Sequence, residues 1–237
     1  MNLVVRQFSA LVAKDLRIEA RSRQTVALVT VLGILILVVL GLGLGRQQVA
    51  AGPAASAVLW VAYLFGGVLC FEKTMAVERQ DGALAGLMLA PIDRGVLYVS
   101  KLTTNLLLMT GLAAVITAVS VVLLGFNLAA APGWFVLITG LGMVGFAAVG
   151  TLFAAAVSST RLQGGLLALV IFPICLPLVI VSTQMMVRVA GTGDAAGAAG
   201  SGGAGSGGAG SGLAVLVAFD AMYLVMSWLV FELLLEP

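Results

Sequence analysis

Residues 102–160 read LTTNLLLMTGLAAVITAVSVVLLGFNLAAAPGWFVLITGLGMVGFAAVGTLFAAAVSST, 59 residues without a single Asp, Glu, Lys or Arg. A helix needs about 20 apolar residues to cross the ~30 Å hydrocarbon core of a bilayer. One crossing cannot use up this run. Asn127, Pro132 and Gly133 interrupt it near its middle, and Trp134 suits a position at headgroup level. It therefore reads as a helical hairpin, about 102–126 and 134–157. That hairpin sets the fold class, an all-α polytopic membrane protein.

Outward from the hairpin, the same criterion finds four more spans, about 25–45, 54–71, 162–187 and 213–231, six transmembrane helices in all. Composition agrees. The 237 residues are 61% hydrophobic and 9% charged, with a mean hydropathy of +1.17, whereas a soluble domain carries about 25% charged residues. A net charge of +2 with scattered cations leaves no footprint for nucleic acid. Histidine is absent, which removes the usual nucleophile base, zinc ligand and haem axial ligand from this chain. Cys70 and Cys175 both sit in apolar runs and read as buried thiols acting as small hydrophobes.

Cations fix an orientation. With the amino terminus inside, Arg6, Lys14, Arg17, Arg21, Arg23, Lys73, Arg79, Arg94, Lys101 and Arg161 lie on the inner side, and only Arg46 and Arg188 outside. Both termini are then cytoplasmic. The first apolar run is longer than a secretory signal core and follows more than twenty residues of charged preamble, so a retained first helix is expected. Residues 191–212 hold eleven glycines and a Gly-Ser-Gly-Gly-Ala repeat from Gly200 and from Gly205, and read as a flexible outer loop.

Two inner elements stand out. Residues 1–24 read as an amphipathic interfacial helix, with Val5, Phe8, Leu11, Val12, Leu16 and Ile18 toward the membrane and Lys14, Asp15, Arg17, Glu19 and Arg21 on the remainder. Residues 72–101 read as a charged helix-turn-helix. Asp81 is placed as an N-cap, Ala83–Leu89 as a short apolar helix ending before Pro91, and Asp93 as a second cap. An exposed apolar helix at the inner face, carrying Leu84, Leu87, Met88 and Leu89, is suited to docking a soluble subunit.

The stretch from Glu78, ERQDGALAGLMLAPIDR, resembles the signature of the CcmB family, the membrane subunit of the cytochrome c maturation exporter. Lys14-Asp15-Leu16 with Glu19 and Arg21 also resembles family sequence, as do Leu59-Trp60-Val61-Ala62, the stretch from Gly145 to Leu152, and Ala218-Phe219-Asp220. Gln80 departs from the pattern, where an acidic residue is common.

The resemblance implies a six-span permease of the ABC-2 type in the bacterial inner membrane. It implies a homodimer paired with an ATP-binding (CcmA-like) subunit and a haem-handling (CcmC-like) membrane protein. ATP and Mg would belong to the partner, haem would be cargo reached through partners, and this chain would bind no cofactor. The ATPase-coupling interface would be Glu78, Arg79, Asp81, Gly82, Leu84, Leu87, Leu89, Pro91, Asp93 and Arg94. An ABC-2 exporter for a lipid or drug, or a membrane scaffold that translocates nothing, would fit the same residues.

Other features read against enzymology. No G-x-x-x-x-G-K-[ST] is present, and no nucleophile–base pair. Gly140-Leu-Gly142-Met-Val-Gly145 matches a dinucleotide fingerprint, but it lies in a charge-free span with no strand before it and reads as close helix packing. Asp220 is an acid well inside the last span, expected about seven residues from its outer end, where a charge must face protein or water. Pro173 and Pro177 are hinge candidates in the fifth span.

Overall fold

In a computed structural model of the chain, residues 3–21, 23–44, 53–80, 94–124, 132–158, 166–192 and 209–234 are described, and nearly all are helical. The helices are α1 (Leu3–Arg21), α2 (Arg23–Gly43), α3 (Pro53–Gln80), α4 (Arg94–Leu124), α5 (Pro132–Ser158), α6 (Leu166–Thr192) and α7 (Ala209–Leu234). α3 and α5 open on Pro53 and Pro132, where a fixed φ and a missing N–H suit the first helical turn. Five helices, α3 to α7, are long and apolar enough to cross a membrane, and Ala27–Gly43 of α2 is a shorter apolar helix that would make six.

The bundle has a centre and a periphery. The apolar window of α3 is 72% buried and that of α5 61%, against 22% for α7. α3 packs on α2, α4, α5 and α6, and α5 packs on α3, α4, α6 and α7. The largest fully buried side chains come mainly from these two helices, Trp60, Tyr63 and Phe71 from α3 and Ile138, Met143 and Phe146 from α5. Phe71 and Phe146 meet edge-on with centroids 5.2 Å apart. Peripheral helices expose apolar stripes instead, as α2 does with Val31, Leu35, Val39 and Leu42. Such stripes suit lipid contact.

Between helices the contacts rely on close approach and hydroxyl bonds, since lipid tails remove the hydrophobic drive between spans. The Tyr63 and Thr117 hydroxyls bond α3 to α4 at 2.5 Å, and Asn105 Nδ2 donates to Thr151 Oγ1 at 2.9 Å between α4 and α5. Ser227 Oγ donates to the Ala148 carbonyl at 3.1 Å between α7 and α5.

Three helix boundaries differ from the sequence expectation. α3 continues to Gln80, past the expected span end at residue 71, because Lys73 to Arg79 contains good helix formers and no Gly or Pro. α4, by contrast, begins at Arg94 and runs through Lys101 into its apolar span, as expected. α6 extends to Thr192 and α7 begins at Ala209, so both ends of the glycine-rich stretch are helical. Residues 193–208 of that stretch lie outside the described residues.

Candidate functional site

Two polar constellations sit in this otherwise apolar bundle. The first joins α1 to α4. Lys101 Nζ lies 2.7 Å from Asp15 Oδ2 and Lys14 Nζ 3.2 Å from Asp15 Oδ1. The Asp15 and Lys101 side chains are each 8% exposed, so this pair is desolvated and its two charges depend on each other. The hydroxyls of Ser100, Thr103 and Thr104 bond back to carbonyls of their own helix at 2.8, 2.7 and 3.0 Å. They thereby bring polar groups into a packed helix without leaving them unsatisfied.

This geometry adds a buried polar stripe to the expected sides of α1. Its buried stripe is Leu11, Asp15 and Glu19, at i, i+4 and i+8, whereas Val4, Val5 and Ile18 are exposed. Glu19 is electrostatically coupled to Cys70 on α3. Asp15 faces the bundle because Lys101 is there, and apolar residues on the other side are left for the membrane interface.

The second constellation lies around one face of α5. Asp220 is the tenth residue of the 21-residue apolar segment Ser211–Phe231, deeper than the seven residues expected because α7 begins earlier than the sequence suggested. It is 4% exposed. Neither carboxylate oxygen has a hydrogen-bond partner, and the Gly145 N–H is approached without the geometry of one. A Cβ on Gly145 would collide with the Asp220 carboxylate and with Leu178. One turn away, a Cβ on Gly142 would collide with the Trp60 ring and stand 3.2 Å from Ser182 Oγ. Trp60 Nε1, Ser182 Oγ and Thr139 Oγ1 are likewise buried without partners.

The glycine motif thus divides. Gly142 and Gly145 are packing positions between α5 and its neighbours, while Gly140 has open space around it. In α6 the helix is continuous through Pro173 and Pro177. The Tyr223 hydroxyl of α7 donates to the Ile174 carbonyl at 2.7 Å, inside the turn between the two prolines. A neighbouring hydroxyl compensates backbone that proline disturbs. Cys70 and Cys175 are both buried and form no disulfide.

Of the expected coupling residues, Asp81, Gly82, Leu84, Leu87, Leu89, Pro91 and Asp93 lie outside the described residues. Glu78 and Arg79 fall in the last turn of α3, and Arg94 is the first residue of α4. The Asp15–Lys101 tie was missed by sequence reasoning. A signal for it existed, since Lys101 follows directly on an apolar stretch and Asp15 and Glu19 share a helix face.

Comparison with known proteins follows the same helices. The family model described as CcmB protein matches residues 6–201, ending before α7 and Asp220. Heme exporter protein B of Rhodobacter capsulatus is 27% identical over 179 residues, covering 76% of this chain and 82% of that protein. Heme exporter protein B of Paracoccus denitrificans is 27% identical over 186 residues, covering 78% and 84%. This multi-pass membrane chain belongs to the CcmB family.

Proposed function

We propose that the chain is the six-span permease subunit of an ABC exporter in cytochrome c maturation, set in a bacterial inner membrane with both termini cytoplasmic. A separate ATP-binding subunit hydrolyses ATP, and the permease answers by exporting haem or by releasing a haem-loaded periplasmic chaperone. The observation that carries this is the family match across residues 6–201, over helices that the relatives named heme exporter protein B share in sequence.

Six crossings are supported by contacts at one end of the bundle. α1 is bound to the base of α4 through Asp15 and Lys101, and Tyr98 of α4 packs on Phe231 near the end of α7 at a centroid distance of 5.1 Å. α1 and the last turns of α7 therefore meet the same end of α4, which fits an even number of crossings. The five long spans need α2 as the sixth. All ten inner cations of the positive-inside count then share that side.

Force from the ATPase enters, on this proposal, through residues 81–93, flanked by Glu78 and Arg79 on α3 and Arg94 on α4. α3 and α4 carry it inward, with Pro173 and Pro177 giving α6 room to bend. Replacing Leu84 and Leu87 by Asp should abolish co-purification of the ATP-binding subunit while membrane insertion is unchanged. Retention of the subunit by that variant sinks the docking role. Reconstituted vesicles separate the two outputs: export moves haem across the bilayer, whereas release frees the chaperone with no flux.

A further inference from the structure

The polar group least explained by packing is Asp220. It sits at mid-span, 4% exposed, with both oxygens unpartnered. Asp15 is paired with Lys14 and Lys101, whereas neither Asp220 oxygen has a hydrogen-bond partner, charged or neutral. α7 packs on α4, α5 and α6. From α5 the carboxyl meets Gly145, beside which Leu178 of α6 also lies, and its titratable neighbour is Tyr223 on its own helix, which in turn faces Cys175 of α6. From α4 the titratable Tyr98 packs farther along α7, on Trp228 and Phe231, and Lys101 is held by Asp15.

An ionised carboxylate in such a place has no counter-charge, with only the Gly145 backbone N–H near it, and would cost several kcal/mol, about 2.5–3.5 on insertion scales. Protonation removes that cost. It needs only that the group be able to reach water at some point in its cycle. The cradle is specific in shape as well, because Gly145 leaves the space that the carboxyl occupies and any Cβ there would take it.

A direction is visible too. From Asp220 at Gly145, the unpartnered Trp60 Nε1 and Ser182 Oγ lie around Gly142, and Thr139 Oγ1 comes one turn further toward the start of α5. These polar atoms span about 9 Å along α5 at 1.5 Å per residue and climb away from the end where α1 is tied. Buried polar groups without protein partners are met by water.

We propose that Asp220 is an intramembrane proton-binding site whose proton locks α7 against α5. The carboxyl is neutral while the two helices are closed. When they part, it gives its proton to water arriving along the Thr139–Ser182–Trp60 side, becoming a carboxylate as the water becomes hydronium. Rising pH therefore favours parted helices and falling pH favours closed ones. The proposal is independent of the cargo and of the docking of any ATPase.

The test uses the full chain in lipid nanodiscs, followed by infrared spectroscopy and by amide hydrogen exchange across a pH series. At neutral pH the wild type should show a protonated-carboxyl carbonyl band that Asp220→Asn loses. On alkalisation that band should vanish in step with a several-fold rise in exchange of residues 138–149 and 213–227, after correction for intrinsic rates. Asp220→Asn, a permanent mimic of the neutral form, should show no such rise. Absence of the band at neutral pH in the wild type overturns the site. Loss of the band without a change in exchange overturns the lock. Should Asp220→Asn fail to fold, the wild-type titration alone decides, because band and exchange must move together.

Discussion

Asp15 and Asp220 are the same side chain buried to nearly the same degree, 9% and 4% exposed, in opposite circumstances. Asp15 has Lys101 at 2.7 Å and Lys14 at 3.2 Å, at the end of the bundle where α1 lies. Asp220 has no charged partner and sits at mid-span. A paired acid is a fixed tie, costly to half-dismantle. An acid without a partner is stable only in its neutral form and so responds to the proton. The bundle is pinned at one end and adjustable in the middle.

The largest effect should come from cutting the tie on one side. Lys101→Met leaves the Asp15 carboxylate buried against Lys14 alone and should cost about 3–5 kcal/mol or somewhat less, read as a fall in thermal unfolding temperature in detergent. Asp15→Leu combined with Lys101→Met should recover most of that loss, as removal of both charges leaves neither stranded. A single variant as stable as wild type would show that the pair does not hold α1.

Next comes the glycine face. Gly145→Leu overpacks the site against Asp220 and Leu178 and should destabilise by about 1–3 kcal/mol. Gly140→Leu, five residues earlier on the same helix with open space around it, should be close to neutral. Equal losses in the two variants would dissolve the distinction between packing and lipid-facing glycines. Smaller again is Tyr223→Phe, which removes the bond to the Ile174 carbonyl and should cost about 0.6–1.7 kcal/mol by chemical unfolding. Smallest is Lys14→Ala. Its side chain is 37% exposed, and a solvent-exposed ion pair contributes about 0–1 kcal/mol. Comparing it with Lys101→Met ranks the two cations at Asp15.

How much of this could be read from the chain alone follows from the range of each interaction. The hairpin in 102–160 was legible because apolar length is a local property, and Asn127, Pro132 and Gly133 punctuate it locally. Asp220 was legible as an anomaly, but its depth was not. That depth depends on where α7 begins, and Ala209 to Gly212 were read as loop because glycine is a weak helix former. The burial of Asp15 and Glu19 in α1 was not legible. Periodicity places both off the apolar side, and the lysine that meets Asp15 lies 86 positions further on. Gly142 and Gly145 were recognised as packing glycines, yet nothing in G-x-G-x-x-G says that the first glycine is idle.

The same separation of 86 positions sets a schedule for synthesis. At about 5–20 residues per second, Lys101 leaves the ribosome roughly 4–17 s after Asp15. Throughout that interval Asp15 has Lys14 but not Lys101. Burying Asp15 before Lys101 arrives would leave its charge without that partner, so the docking of α1 is favoured only once α4 is there. The ion pair thus ties the timing of α1 burial to the synthesis of α4.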